Sequence, residues 1–264
     1  MILGTIGKLW RWRRLVGELA TRDFKARYAG SALGASWAVL EPAIQFAVYL
    51  LVFSVILGMR LEGRPGMAAF GLYLVTGLLP FLAFQEALMR AVGLAHAQAA
   101  LVRHVGTPLE VLVAGGLGAV LGRHAIGYAL ALAVAAVGGT FAWAQLPWLL
   151  VGLVLLVAAA WGGSLLLLAA GAFLPDLAQL VGTALLVLFY ATPIVYTERY
   201  VPGALKVWLD VNPLVGALES FRAVIMGSGP SLARLAVGAA GAALMLVVGS
   251  TVFQRRYWAI RDVV

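Results

Sequence analysis

The residues best suited to chemistry lie between positions 21 and 42, where the chain reads TRDFKARYAGSALGASWAVLEP. Cations, aromatic rings and one carboxylate are concentrated there, directly before a long apolar stretch: Arg22, Lys25, Arg27, Tyr28, Trp37 and Glu41. A guanidinium binds phosphate through paired hydrogen bonds, and Trp and Tyr favour the boundary between headgroups and hydrocarbon. The pattern is therefore typical of a site that receives a phosphate group at headgroup depth. A purely topological anchor would use the same residue types.

The composition indicates that this segment enters a membrane. Hydrophobic residues make up 63% of the 264 residues and charged residues 11%, and the mean hydropathy is +0.98. Soluble domains rarely reach such values. Six runs have the length and apolarity of a transmembrane helix, and none has the alternation of a barrel strand: 42–59, 66–84, 111–143, 146–173, 177–197 and 235–253. We predict an all-α integral membrane protein with six transmembrane helices.

The basic residues predict the orientation of these helices. Twelve of the 19 lysines and arginines fall at the termini or in the loop after the second run, six fall on the opposite face, and Arg123 lies within a run. Because cytoplasmic segments carry the excess of positive charge, both termini are expected in the cytoplasm of a multi-pass protein. The net charge of +8 is then mainly a topology signal, and no soluble basic domain points to nucleic acid.

Residues 1–30 are predicted to form an amphipathic helix at the cytoplasmic interface, ahead of a transmembrane domain at 31–264. At 100° per residue, one face carries charged side chains, namely Arg11, Arg14, Glu18, Arg22 and Lys25. The opposite face carries apolar ones, namely Leu9, Trp12, Val16, Leu19, Ala20 and Phe24. Such a helix lies in the headgroup plane, with its arginines directed toward anionic lipid.

Several classes of active site are disfavoured. Cysteine is absent, which excludes a disulfide framework and a thiol nucleophile. His96, His104 and His124 share no metal-binding spacing. Neither Ser164 nor Ser228 lies in a convincing nucleophile motif, so an intramembrane serine protease is a weak alternative. We expect no catalytic residue, metal or cofactor on this chain.

Four stretches, in order along the chain, resemble the membrane subunits of ABC transporters that export polysaccharides. RDFKARYAGSALGASWAVLEP resembles their entry segment, and LVRHVGTPLEVLV from Leu101 their cytoplasmic coupling segment. LPDLAQLVGTALLVLFYATPIVY from Leu174 resembles the fifth crossing, and NPLVGALESFRAVIMG from Asn212 the external segment before the last crossing. The Glu41-Pro42 step is closer to the corresponding sequence of capsule exporters, whereas ATPIVY is closer to that of O-antigen exporters. The resemblance therefore does not identify the exported polymer.

This resemblance implies a homodimeric pore in a bacterial inner membrane that moves a lipid-linked, O-antigen-like polysaccharide out of the cytoplasm. The chain has no G-x-x-x-x-G-K-[ST] phosphate loop, so it is not itself an ATPase. ATP and Mg would be bound by two copies of a separate ATP-binding subunit. Capsule, teichoic acid, lipid or drug export by the same fold is the alternative. An ion-coupled secondary transporter is less favoured, because Glu41 is the only acid near a predicted span.

Residues 99–110 are the predicted coupling segment. Gly106 allows a turn, Pro108 suits a first helical turn, and Glu110 favours a helix N-terminus electrostatically. The residues expected to contact the ATP-binding subunit are Arg103, His104, Thr107, Pro108 and Glu110. An ordinary loop between helices would have a similar composition.

A hydrophilic polymer needs a polar or aromatic wall, because sugar C–H faces pack on rings. The candidates for the pore lining are Tyr49, Phe53, Phe189, Tyr190 and Tyr196, together with Arg123. Arg123 is expected to face protein or water, since a charge at the centre of a span costs about 2.5–3.5 kcal/mol. Aromatic residues also form lipid-facing belts, which is the alternative for the five rings.

Residues 198–231 are too polar to span and long for a simple connector. Prolines delimit two short helices, at 203–210 and 214–226. The resemblance makes this segment an external gate over the pore mouth. A pair of surface helices that merely cap the bundle is the alternative.

Overall fold

A computed structural model of the chain describes residues 2–61, 67–104 and 106–263, apart from the side chains of residues 2–4, 6, 35 and 104. The described part is built of helices joined by short turns, which confirms the predicted all-helical class. The α-helices are α1 (Ile2–Arg11), α2 (Arg13–Tyr28), α3 (Trp37–Tyr49), α4 (Met67–Ala97), α5 (Ala99–His104), α6 (Leu109–Val137), α7 (Leu146–Gly171), α8 (Leu177–Ala191), α9 (Gly203–Val211), α10 (Pro213–Met226) and α11 (Leu232–Val263). A π-helical segment, Leu50–Ile56, continues α3.

Five helices of the described part are long and apolar enough to cross a membrane, as expected of a multi-pass protein. They are Trp37–Ile56, Met67–Ala97, Leu109–Val137, Trp143–Gly171 and Leu232–Val263. The remaining predicted span, 177–197, contains the shorter apolar helix α8, whose 15 residues reach about 22 Å. It ends because Pro193 follows Thr192, and a residue before proline favours the extended backbone that Thr192 adopts.

Helix α4 is longer than its predicted span, which stopped at residue 84. It continues to Ala97 and thereby includes Glu86 and Arg90, the polar residues that ended the apolar run. The expectation that Glu41 is the only acid near a span was therefore wrong. Arg90 forms an ion pair with Asp23 of α2, so the extension also holds the N-terminal helix.

Close helix contacts in the core depend on glycine. A Cβ added at Gly249 of α11 would collide with the backbone of Gly162 in α7, and one at Gly171 would collide with the Val92 carbonyl of α4. Small residues allow membrane helices to approach closely enough for van der Waals contact along their backbones. Helix α7 therefore packs at close range against both α11 and α4.

Helix α2 lies alongside the first half of α6. The Leu19 side chain rests on Gly115, and Ala20 lies 3.4 Å from the Cβ position of Gly118. All five charged residues of the predicted polar face are exposed, whereas the predicted apolar face is buried or half-buried. In this fold the apolar face therefore has a protein partner, which the sequence pattern did not identify.

One arginine fastens the segment between α8 and α11. Arg234 Nε lies 2.8 Å from Asp210 Oδ1 of α9, Nη1 lies 2.6 Å from Glu219 Oε1 of α10, and Nη2 lies 3.0 Å from Glu198 Oε2. The two short helices predicted here are present as α9 and α10. The segment is thus fixed to the start of α11 at three points.

A second arginine joins α10 to α4 in the interior. The Arg222 guanidinium stacks 3.7 Å from the centre of the Tyr73 ring and donates hydrogen bonds to the carbonyls of Tyr73 and Ile194, at 3.3 and 3.0 Å. Burial lowers the pKa of Arg222. The carbonyls compensate for the lost hydration of the guanidinium, and an apolar residue in place of Arg222 would leave them without these donors.

Candidate functional site

Five polar side chains from four helices meet where α2, α3, α4 and α6 converge, and we call them the entry cluster: Arg27, Glu41, Glu86, Arg123 and His124. Arg27 Nη2 lies 2.9 Å from Glu41 Oε1, and Arg27 Nη1 lies 3.6 Å from Glu86 Oε1. Glu86 Oε2 pairs with Arg123 and lies 3.0 Å from His124 Nε2. One carboxylate of α4 therefore links two cations and an imidazole.

Glu86 provides the negative charge that a buried arginine requires. The Arg123 side chain is 7% exposed, and an unpaired charge at such a site would be strongly unfavourable. Glu86 is 28% exposed, so the pair lies at the border between the interior and the entry. This position agrees with the expectation that Arg123 faces protein or water.

The chain between α2 and α3 brings Arg27 and Glu41 together. Helix α2 ends at Tyr28, and the turn that follows uses positive φ angles at Gly30 (78°) and Gly34 (49°). Glycine adopts this left-handed backbone without the strain of a Cβ. Trp37, at the start of α3, donates a hydrogen bond from Nε1 to Ser31 Oγ at 2.8 Å, which ties the helix start to the turn.

The predicted phosphate-receiving residues divide into two groups. Arg22 and Lys25 are exposed on the outer face of α2 and form no ion pair with the described residues. Arg27 is half-exposed but already paired with two carboxylates. Tyr28 is buried, and its hydroxyl has no hydrogen-bond partner in the part of the chain described.

The five predicted pore aromatics lie together on α3, its π-helical continuation, α8 and the stretch that follows α8. Ring centres are 6.2 Å apart for Tyr49 and Phe53, 6.3 Å for Tyr49 and Phe189, and 5.1 Å for Phe189 and Tyr190. The Tyr196 hydroxyl donates to the Tyr190 carbonyl at 2.7 Å. This aromatic cluster gains Phe81 of α4, 5.3 Å from Phe189, whereas Arg123 belongs to the entry cluster.

The predicted coupling residues differ in exposure. Arg103 is exposed, and Pro108 is half-buried directly before α6. Thr107 and Glu110 are buried, and Lys8 of α1 lies 3.1 Å from Glu110 Oε1. Glu110 is thus placed to hold α1 against α6, while Arg103 is available to a partner. The side chain of His104 lies outside the described part.

Sequence reasoning missed Glu86 and the Asp23–Arg90 pair. The spacing of Glu86 and Arg90, four residues apart, favours an ion pair along one helix face, but in the structure each pairs with other helices instead. An acid that continues an apolar run also marks a functional position in a membrane helix. No group of three metal-binding side chains occurs among the residues that the structure describes.

Known proteins resemble this chain over most of its length. The model of the family described as ABC-2 type transporter matches residues 14–226. The O-antigen export system permease protein RfbA of Myxococcus xanthus is 28% identical over 259 residues, 95% of each chain. An RfbA of Klebsiella pneumoniae is 22% identical over 91% of each chain. The polysialic acid transport protein KpsM of Escherichia coli is 26% identical over 80% of this chain and 81% of its own. The family match, at residues 14–226, includes both the entry cluster and the aromatic cluster.

Proposed function

The chain belongs to the ABC-2 type transporter family, and we propose that it is the membrane-spanning subunit of an ATP-driven exporter of a lipid-linked, O-antigen-like polysaccharide. The observation that carries this proposal is the near full-length similarity to a permease named for O-antigen export. The free cations of α2 and the clustered aromatic rings provide the two surfaces that such a cargo needs, one for phosphate and one for sugar. The similarity to KpsM favours a capsule-type polymer as the second candidate.

In the proposed assembly, two copies form a pore around a two-fold axis in the bacterial inner membrane. Each copy spans the membrane six times, with α8 and the residues that follow it as the fifth crossing, and both termini are cytoplasmic. Helices α3 and α8 support this arrangement, because both expose apolar side chains such as Val48 and Leu186 beside the aromatic cluster. The aromatic rings would then line the path, and the segment at 198–231 would gate its outer end.

ATP and Mg would be bound by two copies of a separate ATP-binding subunit. The exposed part of the coupling segment, with Arg103, would contact that subunit, and the Lys8–Glu110 pair would transmit its movement to α1 and α6. The cargo's pyrophosphate would first meet Arg22 and Lys25. Arg27 would join them by exchanging its carboxylate partners for phosphate, and the Tyr28 hydroxyl would donate a further hydrogen bond.

Co-purification tests the proposal directly. The tagged chain, isolated from its native membrane, is expected to bring down a separate ATP-binding subunit whose ATP hydrolysis rises when lipid-linked glycan is added. Free glycan and an unrelated lipid serve as controls. The exporter function would be refuted if the chain is isolated without an ATP-binding partner. It would also be refuted if ATP hydrolysis does not change when lipid-linked glycan is added.

Lysine in place of arginine tests phosphate reception. The variant Arg22→Lys, Arg27→Lys keeps the positive charge but loses paired hydrogen bonding, so export per molecule should fall by about tenfold, equivalent to one charge-assisted hydrogen bond. Export of labelled glycan is measured against membrane abundance. Arg11→Lys, an exposed cation at the end of α1, is the control. Unchanged export by the double variant would leave these arginines as topological anchors.

The coupling segment is tested by Arg103→Ala combined with Glu110→Ala. We expect ATP hydrolysis to continue while glycan export falls roughly tenfold or more, because both the partner contact and the bridge to Lys8 are lost. Hydrolysis and export are measured on the same membrane vesicles. Arg255→Ala, an exposed cation on α11, is the matched control. Wild-type export by the double variant would make residues 99–110 an ordinary loop.

A further inference from the structure

Four polar or aromatic side chains follow one another at every fourth residue along α3 and its π-helical continuation. They are Glu41, Gln45, Tyr49 and Phe53, and we call them the polar track. Residues four apart lie one turn apart on nearly the same side of a helix. Because Glu41 belongs to the entry cluster and Tyr49 and Phe53 to the aromatic cluster, the polar track joins the two clusters, and Gln45 is its one member outside both.

Gln45 lies well inside a helix long enough to cross the membrane. The candidate span runs from Trp37 to Ile56, and Gln45 stands about 12 Å along it from Trp37. The side chain is half-buried, neither amide atom is enclosed, and it forms no hydrogen bond with the described residues. An amide without a hydrogen-bond partner is strongly unfavourable in hydrocarbon. Gln45 therefore requires a polar partner from outside the described chain.

The sides of α3 differ in chemistry. An apolar stripe is more than half exposed at each of its residues, Ile44, Val48, Leu51 and Val55. Gln45 lies about 100° around the helix from Ile44. Phe46, a further turn of the same size, packs against Gly71 of α4. The polar track thus runs between the apolar stripe, which suits lipid or a second copy of the chain, and the side of α3 that packs against α4.

We propose that Gln45 contacts the cargo, and that its amide binds hydroxyl groups of the glycan as the chain passes from the entry cluster to the aromatic cluster. This inference rests on the proposed function and names a specificity-determining residue for it. A carboxamide has two donors and one acceptor, which match a sugar hydroxyl that both donates and accepts. Because the amide is neutral, it binds more weakly than a charged group would, and a conducted cargo has to leave each site again.

Thiol labelling tests whether the polar track faces water. The chain has no cysteine, so a single introduced cysteine reports its own surroundings, and a thiol reacts as the thiolate, which forms in water rather than in lipid. The full chain is assayed in inverted membrane vesicles with a sulfonated methanethiosulfonate reagent. We expect Gln45→Cys to react at least about tenfold faster than Ile44→Cys or Leu51→Cys, the matched controls on the apolar stripe.

Glycan export tests whether Gln45 contacts the cargo. Gln45→Leu keeps a side chain of similar size but removes its hydrogen bonds, so export per molecule should fall roughly tenfold, about the contribution of one hydrogen bond. Gln45→Asn retains a carboxamide and should recover part of this loss. Ile44→Leu, at the same depth, should export like the wild type. Membrane abundance, measured on the same vesicles, separates a loss of export from a loss of folded protein.

Either assay can overturn the role of Gln45. Equal reaction rates for Gln45→Cys and Ile44→Cys would mean that α3 has no separate polar side, and wild-type export by Gln45→Leu would mean that the amide does not contact the glycan. In both cases the wild-type chain would still export glycan, so the exporter function would stand. A wild-type chain that exports no glycan would refute the exporter function itself, whereas the labelling rates are measured without added glycan or ATP.

Discussion

Glu86→Gln is expected to destabilise the folded chain by about 3–5 kcal/mol, the usual cost of breaking a buried ion pair by removing one partner. The variant leaves the Arg123 guanidinium, 7% exposed, without its carboxylate, and it removes the carboxylate beside His124, whereas Arg27 keeps Glu41. Chemical unfolding of the purified protein in detergent measures the loss. Membrane abundance in cells should fall in parallel, since a change of this size is a large share of a domain's stability.

Two further variants test whether the lost ion pair causes this destabilisation. Glu18→Gln removes an exposed carboxylate of α2 that forms no ion pair with the described residues, and it should change stability by less than about 0.5 kcal/mol. Glu86→Gln combined with Arg123→Met removes both buried charges and should recover most of the lost stability. A single Glu86→Gln variant as stable as the wild type would show that the entry cluster does not hold α4 to α6.

Gly249→Leu is expected to prevent correct packing of α11 on α7. A Cβ at this position would collide with the carbonyl of Gly162, which is backbone and cannot rotate away. The loss of folding stability should therefore exceed that of ordinary overpacking, which is about 1–3 kcal/mol. Fluorescence-detected size-exclusion chromatography of the tagged chain should show little monodisperse protein.

Gly93→Leu is the control for this second prediction. It makes the same chemical change within a helix, but a Cβ there meets nothing within 4 Å. We expect wild-type levels of monodisperse protein. Normal assembly of the Gly249→Leu chain would mean that α7 and α11 do not require backbone contact.

The sequence predicted the helical membrane class and most of the helices, because hydrophobicity and helix period are local properties. The run at 235–253 lies within α11, and the runs at 42–59, 111–143 and 146–173 each coincide with a helix over most of their length but continue past its end. The boundaries were less predictable. Helix α4 continues past residue 84 because its packing against α2 and α6 supplies Glu86 and Arg90 with partners, and a hydropathy run takes no account of such partners.

For the aromatic cluster and for Glu110, the sequence indicated the residue types but not where the side chains lie in the fold. Sequence reasoning chose Tyr49, Phe53 and Phe189 for their chemistry. Tyr49 and Phe53 stand four residues apart on α3 and its continuation, so their contact is local, whereas only the tertiary packing places Phe189 of α8 6.3 Å from Tyr49, within the range of favourable aromatic contact. Likewise, Glu110 was chosen for its place in a short loop. Its burial against Lys8 depends on where α1 lies.

The sequence by itself determined that the chain enters a membrane, which face of α2 is charged, and where cations and aromatic rings are concentrated. Only the tertiary structure decided which of those charges are free. Arg22 and Lys25 stay exposed, whereas Arg27 is neutralised by Glu41 and Glu86. The physical reason is that hydropathy adds up along the chain, whereas the choice of a counter-ion depends on which helices pack together and how deeply they exclude water.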